Sequence, residues 1–459
     1  MKTTLVLIVT LISLKGFGQE VKLSREQILD DLNLLELELQ KHHPNLYVYS
    51  SRSQIESSFN ELRNSLPDSL DKTQCYNVVS FTSSIVKDGH YNVTPSKQTI
   101  DQFYATSRLL PLDIFWTENS AYITKNYSVN NVEIGAQLLS INGIDVNVIR
   151  ETILSRVFRD GNNTTYPYWI LNNFFRAYYN FCFGTSDSYE IALKEDFKKI
   201  QTVHLSGLTH KEISEARKVK YPEYSLRIGQ EKGIDLKLDK TKATLTIRSF
   251  ENKLLKENYN QKFRRSIKAH FQTILESGVE NLIIDIRGNQ GGELTNGLFL
   301  LKYVMAEQFQ AVQKFTKVDK RFYDSTTKRN KPVRGGVGGF HTPFKDNYKR
   351  NLFLLVNGGS FSCSGIVSQV LKKTNRSVII GTETGGSAYT VVGVPNKDII
   401  LPNSQIQITI PLREFILQGY EKKIKGGVIP DIIIEPDISD ILSDQDTEYN
   451  YALKLIKSK

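Results

Sequence analysis

Short apolar segments in the second half of the chain constrain its fold most strongly. Residues 281–286 (NLIIDI) and 351–356 (NLFLLV) are dominated by apolar residues, and a turn with paired glycines and a helical pattern follows each. Residues 377–381 (SVIIG) are a third segment of this kind. Strands that are apolar on both faces are typical of a parallel sheet covered by helices. Residues from 243 onward are therefore predicted to form an α/β core.

The N-terminal part of the chain is predicted to be helical. Apolar residues at intervals of three and four predict three helices, over residues 24–43, 52–66 and 71–87. Ser24 and Gln27 have the spacing of a capping box at the start of the first helix. The third helix is predicted to end at Asp88 and Gly89, because a glycine suits a left-handed helix cap.

Residues 104–235, which follow these helices, have a different pattern. Short segments with the alternation of strands dominate, and Asn142–Gly143 is a hairpin-type turn signal. One helix is predicted within this stretch, at 146–158. The region is therefore expected to be rich in β-structure.

The first 18 residues resemble a secretory signal. Lys2 precedes an apolar run at 5–14, and a small-residue ending at Gly18 predicts cleavage near Gln19. The apolar run is too short to cross a membrane comfortably. We expect export to the periplasm or the exterior of a bacterial cell, with no integral membrane segment after the signal is removed.

Composition excludes several classes of protein. The chain has 459 residues, of which 40% are hydrophobic and 24% charged, as in ordinary globular proteins. The net charge is +10, but no long basic run is present, which argues against nucleic-acid binding. Three cysteines are too few for a disulfide framework, and the histidines lack metal-ligand spacing. We expect no metal and no cofactor.

The segment 357–366 (NGGSFSCSGI) places three serines where a predicted strand turns into a helix. A serine in such a turn is exposed at one end of the sheet, and neighbouring amides can stabilise an oxyanion there. The glycine turn at 291–292 ends a neighbouring predicted strand and could add a second amide. Serines at helix starts are more often simple caps, so residue types alone leave both interpretations open.

Several ordered motifs resemble those of one enzyme family. They are residues 87–93 (KDGHYNV), 281–292 (NLIIDIRGNQGG), 352–372 (LFLLVNGGSFSCSGIVSQVLK), 381–386 (GTETGG) and 426–432 (GGVIPDI). In this order they resemble the tail-specific, or C-terminal processing, serine peptidases. The resemblance implies a crotonase-like catalytic core of stacked ββα units, with an N-terminal helical region. Residues 129–158 resemble the end of a PDZ-like module, of the kind that captures peptide strands.

The resemblance also assigns roles to residues. Ser362, the middle serine of the run, corresponds to the nucleophile. The backbone N–H of Cys363, with that of Gly291 or Gly292, corresponds to the oxyanion hole. Cys363 would then contribute its amide and not its thiol.

The general base is less directly implied. Many members of the family carry a lysine 25 residues after the nucleophile, but this chain has Ser387 there. The pattern is therefore closer to the tricorn-type branch, in which a histidine near the start of the conserved region is the base. His90 occupies that position, and imidazole titrates near neutral pH. His341, in a basic glycine-rich loop at 325–350, is the reserve candidate.

Two departures from the tricorn-type pattern concern the partners of this histidine. Gly89 stands where that branch has a second serine. The glutamate that orients the histidine corresponds best to Glu421, with Glu383 as the other candidate.

The resemblance implies an exported serine endopeptidase that acts through an acyl-enzyme and cleaves near protein C-termini. Its partner would be a peptide or an unfolded protein, and the sequence does not indicate an oligomeric state. The alternatives are a catalytically impaired binding protein on the same fold and a hydrolase of non-peptide esters. The predicted organisation is a signal at 1–18, a helical region at 22–95, a β-rich region at 104–235 and the catalytic domain at 236–459.

Overall fold

The computed structural model describes residues 22–194, 200–229, 231–316, 321–324, 329–332, 337–417 and 426–458. The predicted signal at 1–18 lies outside the described residues. The helices are α1 (Arg25–His42), α2 (Arg52–Asn64), α3 (Lys72–Ser80), α4 (Thr82–Val86), α5 (Lys97–Ala105), α6 (Val146–Leu154), α7 (Thr165–Phe183), α8 (His210–Lys220), α9 (Pro222–Gly229), α10 (Asn252–Tyr259), α11 (Phe263–Ser277), α12 (Leu294–Val304), α13 (Cys363–Lys373), α14 (Ile438–Leu442) and α15 (Thr447–Lys457). None of the described helices has the length and apolar character that a membrane span requires.

The strands form several sheets. They are β1 (Leu23–Ser24), β2 (Ser69–Leu70), β3 (Asn92–Thr94), β4 (Leu112–Trp116), β5 (Ala121–Asn126), β6 (Gln137–Ile141), β7 (Ile144–Asp145), β8 (Ser188–Lys194), β9 (Ile200–Ser206), β10 (Ile234–Leu238), β11 (Lys242–Ile247), β12 (Asn281–Asp285), β13 (Phe309–Gln310), β14 (Val312–Phe315), β15 (Arg321–Asp324), β16 (Arg329–Pro332), β17 (Phe340–His341), β18 (Asn351–Val356), β19 (Val378–Gly381), β20 (Thr390–Ile400), β21 (Gln407–Leu417) and β22 (Ile432–Ile433).

The central sheet has the strand order β10-β11-β12-β18-β19-β22. All neighbouring pairs are parallel except β10 with β11. Leu282 and Ile284 of β12 point into a core formed with α11, α12 and α13, whereas Ile283 faces α15 on the other side. Because both faces are covered, the strands need apolar residues at nearly every position. The predicted α/β class is confirmed.

The sheet is ordered so that the turns after β12 and β18 lie side by side. Asn281 pairs with Asn351, so both strands end at the same edge, where the two glycine-containing turns meet. The Gly288 N–H donates to Asn357 Oδ1 (2.8 Å), and the Phe361 N–H donates to the carbonyl oxygen of Asn289 (3.0 Å). The edge at which parallel strands end is the usual place for a functional site in α/β proteins.

The N-terminal helices follow the sequence prediction with one exception. Ser24 and Gln27 form the predicted capping box. The third predicted helix is divided into α3 and α4, and its left-handed terminal residue is Lys87 (φ 56°) rather than Gly89. The physical reason is that Gly89 is held in the next turn by contacts of its own, described below.

The predicted β-rich region contains a five-stranded path, β4-β5-β6-β8-β9, with β7 paired to β6. It also contains α7, a 19-residue helix, together with α8 and α9. Helix α7 is rich in aromatic residues, which favour strands by propensity and obscured its helical spacing. Its buried side chains, such as Tyr166 and Ile170, recur at the helical interval of four.

A smaller sheet brings the N-terminal region to the central domain. Strand β3 pairs antiparallel with β21, with Val93 opposite Ile408, and β21 also pairs with β20 and β14. Strand β3 begins two residues after His90. This pairing therefore fixes the position of His90 relative to the C-terminal half of the chain.

Candidate active site

Ser362 lies in a strained turn at the N-terminus of α13. Its backbone has φ 53° and ψ −117°, a conformation that non-glycine residues rarely adopt and that costs about 1–3 kcal/mol. The side chain makes no capping hydrogen bond to the helix. The simple capping interpretation of this serine is therefore wrong, and the hydroxyl is presented at the sheet edge instead.

The other two serines of the run have structural contacts. Ser360 Oγ donates to the carbonyl oxygen of Ile286 (2.9 Å), and Ser364 Oγ donates to that of Asn289 (2.7 Å). Both are fully buried. They join the nucleophile turn to the turn after β12.

Cys363 does not offer a reactive thiol. Its side chain is buried, with Sγ 3.7 Å from the carbonyl oxygen of Glu293. Burial raises the pKa of the Cys363 thiol to about 12. Since the thiolate is the reactive form, this thiol is inert near neutral pH.

The side chain of His90 is within hydrogen-bond distance of the Ser362 hydroxyl. Its Nε2 is 2.9 Å from Ser362 Oγ, although the two residues are 272 positions apart in the chain. The imidazole stacks on the ring of Phe361, with 4.9 Å between centroids, and Phe361 in turn stacks on Tyr166 at 4.5 Å. The stack supports one face of the imidazole and limits its rotation.

The pKa of His90 lies below its ordinary value. Burial lowers this pKa, and the nearby Asp88 carboxylate opposes the effect only in part. The imidazole is therefore largely neutral at pH 7, which is the form that can accept a proton.

Two buried carboxyl groups lie beneath His90, and sequence analysis did not single out either. Asp88 Oδ1 accepts the N–H groups of His90 (2.7 Å) and Tyr91 (3.1 Å). Asp160 Oδ1 accepts the N–H of Gly89 at 2.8 Å. Although burial raises the pKa of Asp88, its contacts with His43 and His90 outweigh that effect and hold the pKa below its usual range. A charged carboxylate therefore lies next to His90.

His43 is a further residue near His90 that sequence analysis did not single out. It forms the C-cap of α1, and its side chain is buried with Nε2 3.5 Å from Asp88 Oδ2. His43 Nδ1 accepts the N–H of Asn45 (3.2 Å), which leaves Nε2 to carry the proton and face Asp88. Only the aspartate in the DGH motif could have signalled this arrangement, because His43 lies 45 residues before it in sequence.

The remaining predicted residues are not brought to His90 by the described structure. Glu421 lies outside the described residues. Glu383 Oε1 accepts the N–H of Gly427 at 2.5 Å, so its carboxylate is used in that turn. His341 lies in β17 against Phe309, with Nε2 3.5 Å from the carbonyl oxygen of Val337, and not at Ser362.

Ser387, at the position where a lysine was sought, is fully buried and supplies no base. Its Oγ accepts the N–H groups of Tyr389 (3.1 Å) and Thr390 (3.3 Å) and the hydroxyl of Tyr49 (3.3 Å). These bonds occupy the hydroxyl. Among the described residues, His90 is thus the basic group that contacts the Ser362 hydroxyl.

The predicted oxyanion amides lie together. A Cβ on Gly291 would be 2.8 Å from Ser362 Cβ and 2.9 Å from Cys363 N, so this glycine directly faces the nucleophile turn. The Gly291 N–H itself donates to Asn289 Oδ1 (2.9 Å). In the described part of the chain the amides of Gly292 and Cys363 have no such acceptor. Of the two glycines, Gly292 is the one whose amide is free.

Side-chain atoms of Asp88, His90 and Asp160 lie within 4.8 Å of one another, a spacing compatible with a metal ion. Both carboxyl groups already accept backbone N–H bonds, and His90 Nε2 lies on Ser362. These potential metal ligands therefore already make hydrogen bonds within the protein. That the protein needs no metal stays a prediction.

Arg287, after β12, forms an ion network away from Ser362. Its guanidinium contacts Asp285 (2.7 Å), Asp446 (2.7 Å) and Glu448 (3.0 Å). Arg287 therefore pairs with the aspartate at the end of β12 and with two carboxylates at the start of α15. The network ties the start of α15 to the glycine turn after β12.

Comparison with known proteins finds a matching family. Residues 242–434 match the family described as peptidase family S41. A carboxyl-terminal-processing protease of Synechocystis sp. (strain ATCC 27184 / PCC 6803 / Kazusa) is 23% identical over 184 residues, which are 39% of this chain and 38% of that protein. The chain thus aligns with less than half of this curated relative.

Solved structures are similar over nearly the whole chain. The crystal structure of mature CPAF has a TM-score of 0.65 at 16% identity, with 95% of this chain and 98% of that chain covered. The structure of mature CPAF complexed with lactacystin has a TM-score of 0.64 at 16% identity, over 95% of this chain and 99% of that chain. At such identities the similarity shows the fold, and the tricorn-type branch stays a prediction. The family match confirms the resemblance found in the motifs: residues 242–434 of this chain are similar to peptidase family S41.

Proposed function

We propose that this protein is an exported serine endopeptidase that hydrolyses peptide bonds through an acyl-enzyme on Ser362, with His90 as general base. The observation that carries the proposal is the 2.9 Å contact between His90 Nε2 and Ser362 Oγ in a strained strand-to-helix turn. A serine hydroxyl is a weak nucleophile unless a neighbouring base takes its proton. The neutral imidazole of His90, next to the Ser362 hydroxyl, can accept that proton.

The proposed reaction has two halves. Ser362 Oγ attacks the peptide carbonyl carbon while its proton moves to His90 Nε2. The C–N bond then breaks, and the imidazolium gives the proton to the departing amine. In the second half water attacks the ester, its proton moves to His90, and Ser362 leaves with that proton. The Asp88 carboxylate stabilises the imidazolium that forms between these transfers.

The oxyanion is assigned to the amides of Cys363 and Gly292. Cys363 N lies where Gly291 approaches Ser362, and Gly292 is the next residue after Gly291 in that turn. Amides that are fixed before the reaction stabilise developing charge without reorganisation, and one such donor contributes about 2.7–4 kcal/mol. The glycines keep this junction open, because a side chain would fill it.

Replacement of Gly291 by alanine tests the oxyanion assignment. The new Cβ would lie 2.9 Å from Cys363 N and cover that amide. We expect kcat to fall by about 10²- to 10³-fold, the usual effect of losing one oxyanion donor. Steady-state kinetics of Gly291→Ala, with Gly339→Ala as a control at an open glycine, measure this effect. A kcat equal to that of the control would place the oxyanion elsewhere.

The fall of kcat/KM on the acid side of its pH profile should occur below the usual pKa of histidine. The base must be neutral, and burial holds the pKa of His90 below its ordinary value of about 6.5. We therefore expect kcat/KM to be on its plateau at pH 7 and to fall about tenfold per pH unit once the pH is below the pKa of His90. Rates between pH 4.5 and 8 measure this fall, and a midpoint above pH 7 would contradict this assignment.

The substrate is proposed to be a peptide or an unfolded protein segment that is cut near its C-terminus. Similarity to a carboxyl-terminal-processing protease and the PDZ-like pattern at 129–158 support this choice. Export is proposed from the signal pattern at 1–18.

Digestion of a disordered protein tests the proposed activity. The purified protein is incubated with an unfolded substrate and with peptides carrying free or amidated C-termini, and new ends are mapped by mass spectrometry. We expect cleavage that a fluorophosphonate stops, and faster cleavage of free C-termini if tails are preferred. A folded protein that binds these peptides but cuts none would instead favour the binding-protein alternative.

A further inference from the structure

Asp160 joins two segments that are far apart in sequence. It lies in the loop between α6 and α7 and is 2% exposed. Its Oδ1 accepts the N–H of Gly89 at 2.8 Å, and its Oδ2 accepts the N–H of Ser387 at 3.0 Å. One carboxyl group thus connects the residue before His90 with the segment that follows β19.

The segment at Ser387 is packed directly on the nucleophile turn. The N–H of Gly386 donates to the carbonyl oxygen of Ser360 (3.2 Å), and a Cβ on Gly386 would lie 2.8 Å from Ser362 N. Asp160 is therefore the middle of a chain of contacts from the His90 turn to the Ser362 turn.

No side chain at position 89 could take over this connection. A Cβ on Gly89 would lie 2.5 Å from the ring of Phe361 and 2.8 Å from Asp160 Oδ1. Asp160 and Phe361 thus occupy the space in which a side chain would begin. The turn before His90 is held from outside, by the carboxyl group of Asp160.

The rest of the Asp160 loop is fixed in the same way. The Gly161 N–H donates to the carbonyl oxygen of Lys87 (2.8 Å), and Asn163 Nδ2 donates to that of Thr384 (3.0 Å). The residues that follow Asp160 therefore contact both the segment before His90 and the segment before Ser387. This rigid support is what a group that positions another residue requires.

We propose that Asp160 is a positioning residue that holds the His90 imidazole on Ser362 by tying the turn before His90 to the segment packed on the nucleophile. Its effect on rate rests on the proposed peptidase function. Its effect on the geometry of the two side chains does not.

The charge state of Asp160 fits this role. No lysine or arginine among the described residues forms an ion pair with it, and its titratable neighbours are Asp88, His90, Tyr49 and Tyr166. Burial, and then the charge of Asp88, raise the pKa of Asp160 to about 8. A raised pKa favours the neutral carboxyl group, which needs no counter-ion. Its two oxygens still accept the two N–H bonds, whereas an amide would direct an NH₂ group at one of these donors.

Asp160→Ala and Asp160→Asn test the proposal. The alanine loses both bonds, and we expect kcat to fall about 10²-fold with KM within about twofold, because small misplacements of reacting groups have effects of this size. The asparagine keeps one acceptor, and we expect a smaller loss, of about tenfold. A crystal structure of Asp160→Ala should show His90 Nε2 and Ser362 Oγ beyond hydrogen-bond distance.

Asp113→Asn is the matched control. Asp113 is a partly buried carboxylate in the separate β4–β9 sheet, where it contacts Arg176 and the hydroxyl of Tyr127. Its loss should lower the melting temperature but not kcat. The proposal is overturned if the Asp160→Ala structure keeps the 2.9 Å contact, or if its kcat equals that of the control. An inactive wild-type protein would contradict the peptidase function, and the structure of the variant would still decide the positioning role.

Discussion

Ser362→Ala should lower kcat for peptide hydrolysis by about 10⁴- to 10⁶-fold, the loss seen when the nucleophile of a serine peptidase is removed. The Oγ of Ser362 is the atom that becomes acylated, and the described structure offers no substitute. Ser360 and Ser364 are buried and bonded to carbonyl oxygens, and the Cys363 thiol is held away with a pKa raised to about 12. The fold should survive, because Ser362 makes no capping bond.

Steady-state kinetics and circular dichroism measure this prediction. Ser368→Ala is the control, since Ser368 lies on the same helix and its Oγ bonds only the carbonyl oxygen of Ser364 (2.8 Å). That variant should retain kcat within about threefold and lose about 1 kcal/mol of stability. Retention of a tenth or more of wild-type activity by Ser362→Ala would rule out the nucleophile assignment.

His90→Ala should lower kcat by about 10⁴-fold or more, because no other described residue places a base within hydrogen-bond distance of the serine. The remaining activity should lose the acid limb of the pH profile, since the group that titrates is gone. His341→Ala is the control, because His341 packs on Phe309 and lies in another part of the fold. We expect that variant to retain kcat within about twofold.

The opposite result would identify a different base. If His341→Ala were inactive and His90→Ala active, the contact in the structure would not be the functional one. Rates for both variants over pH 4.5 to 8, with melting temperatures to confirm folding, distinguish the two outcomes.

Local patterns in the sequence were sufficient to predict the α/β core. Residues 281–286 and 351–356 are apolar on both faces, and only a doubly covered parallel sheet can bury such strands. The glycine turns that follow them bring Gly291 to Ser362, and the order of motifs placed His90 in the same site. The strands and glycine turns are encoded by residue type and spacing within short segments, whereas the role of His90 was implied by the family resemblance.

The surroundings of His90 could not be predicted in the same way. Asp160 acts through bonds that span 71 and 227 positions, and its loop carries no recognisable motif. His43 lies 45 residues before Asp88 in sequence and faces it only in the folded chain. Helix α7 was missed because its aromatic composition favours strands. In each case long-range packing decided the outcome, and no short window of sequence contains that information.

The most direct test of the central claim is to locate the adduct formed by a fluorophosphonate on the wild-type protein. Such a probe phosphonylates a serine that an adjacent base activates, so its position reports the nucleophile and base together. Peptide mapping by mass spectrometry should find one adduct, on Ser362, that is absent from Ser362→Ala and forms far more slowly in His90→Ala. An adduct on another residue, or peptide cleavage by a protein that the probe does not modify, would contradict the account.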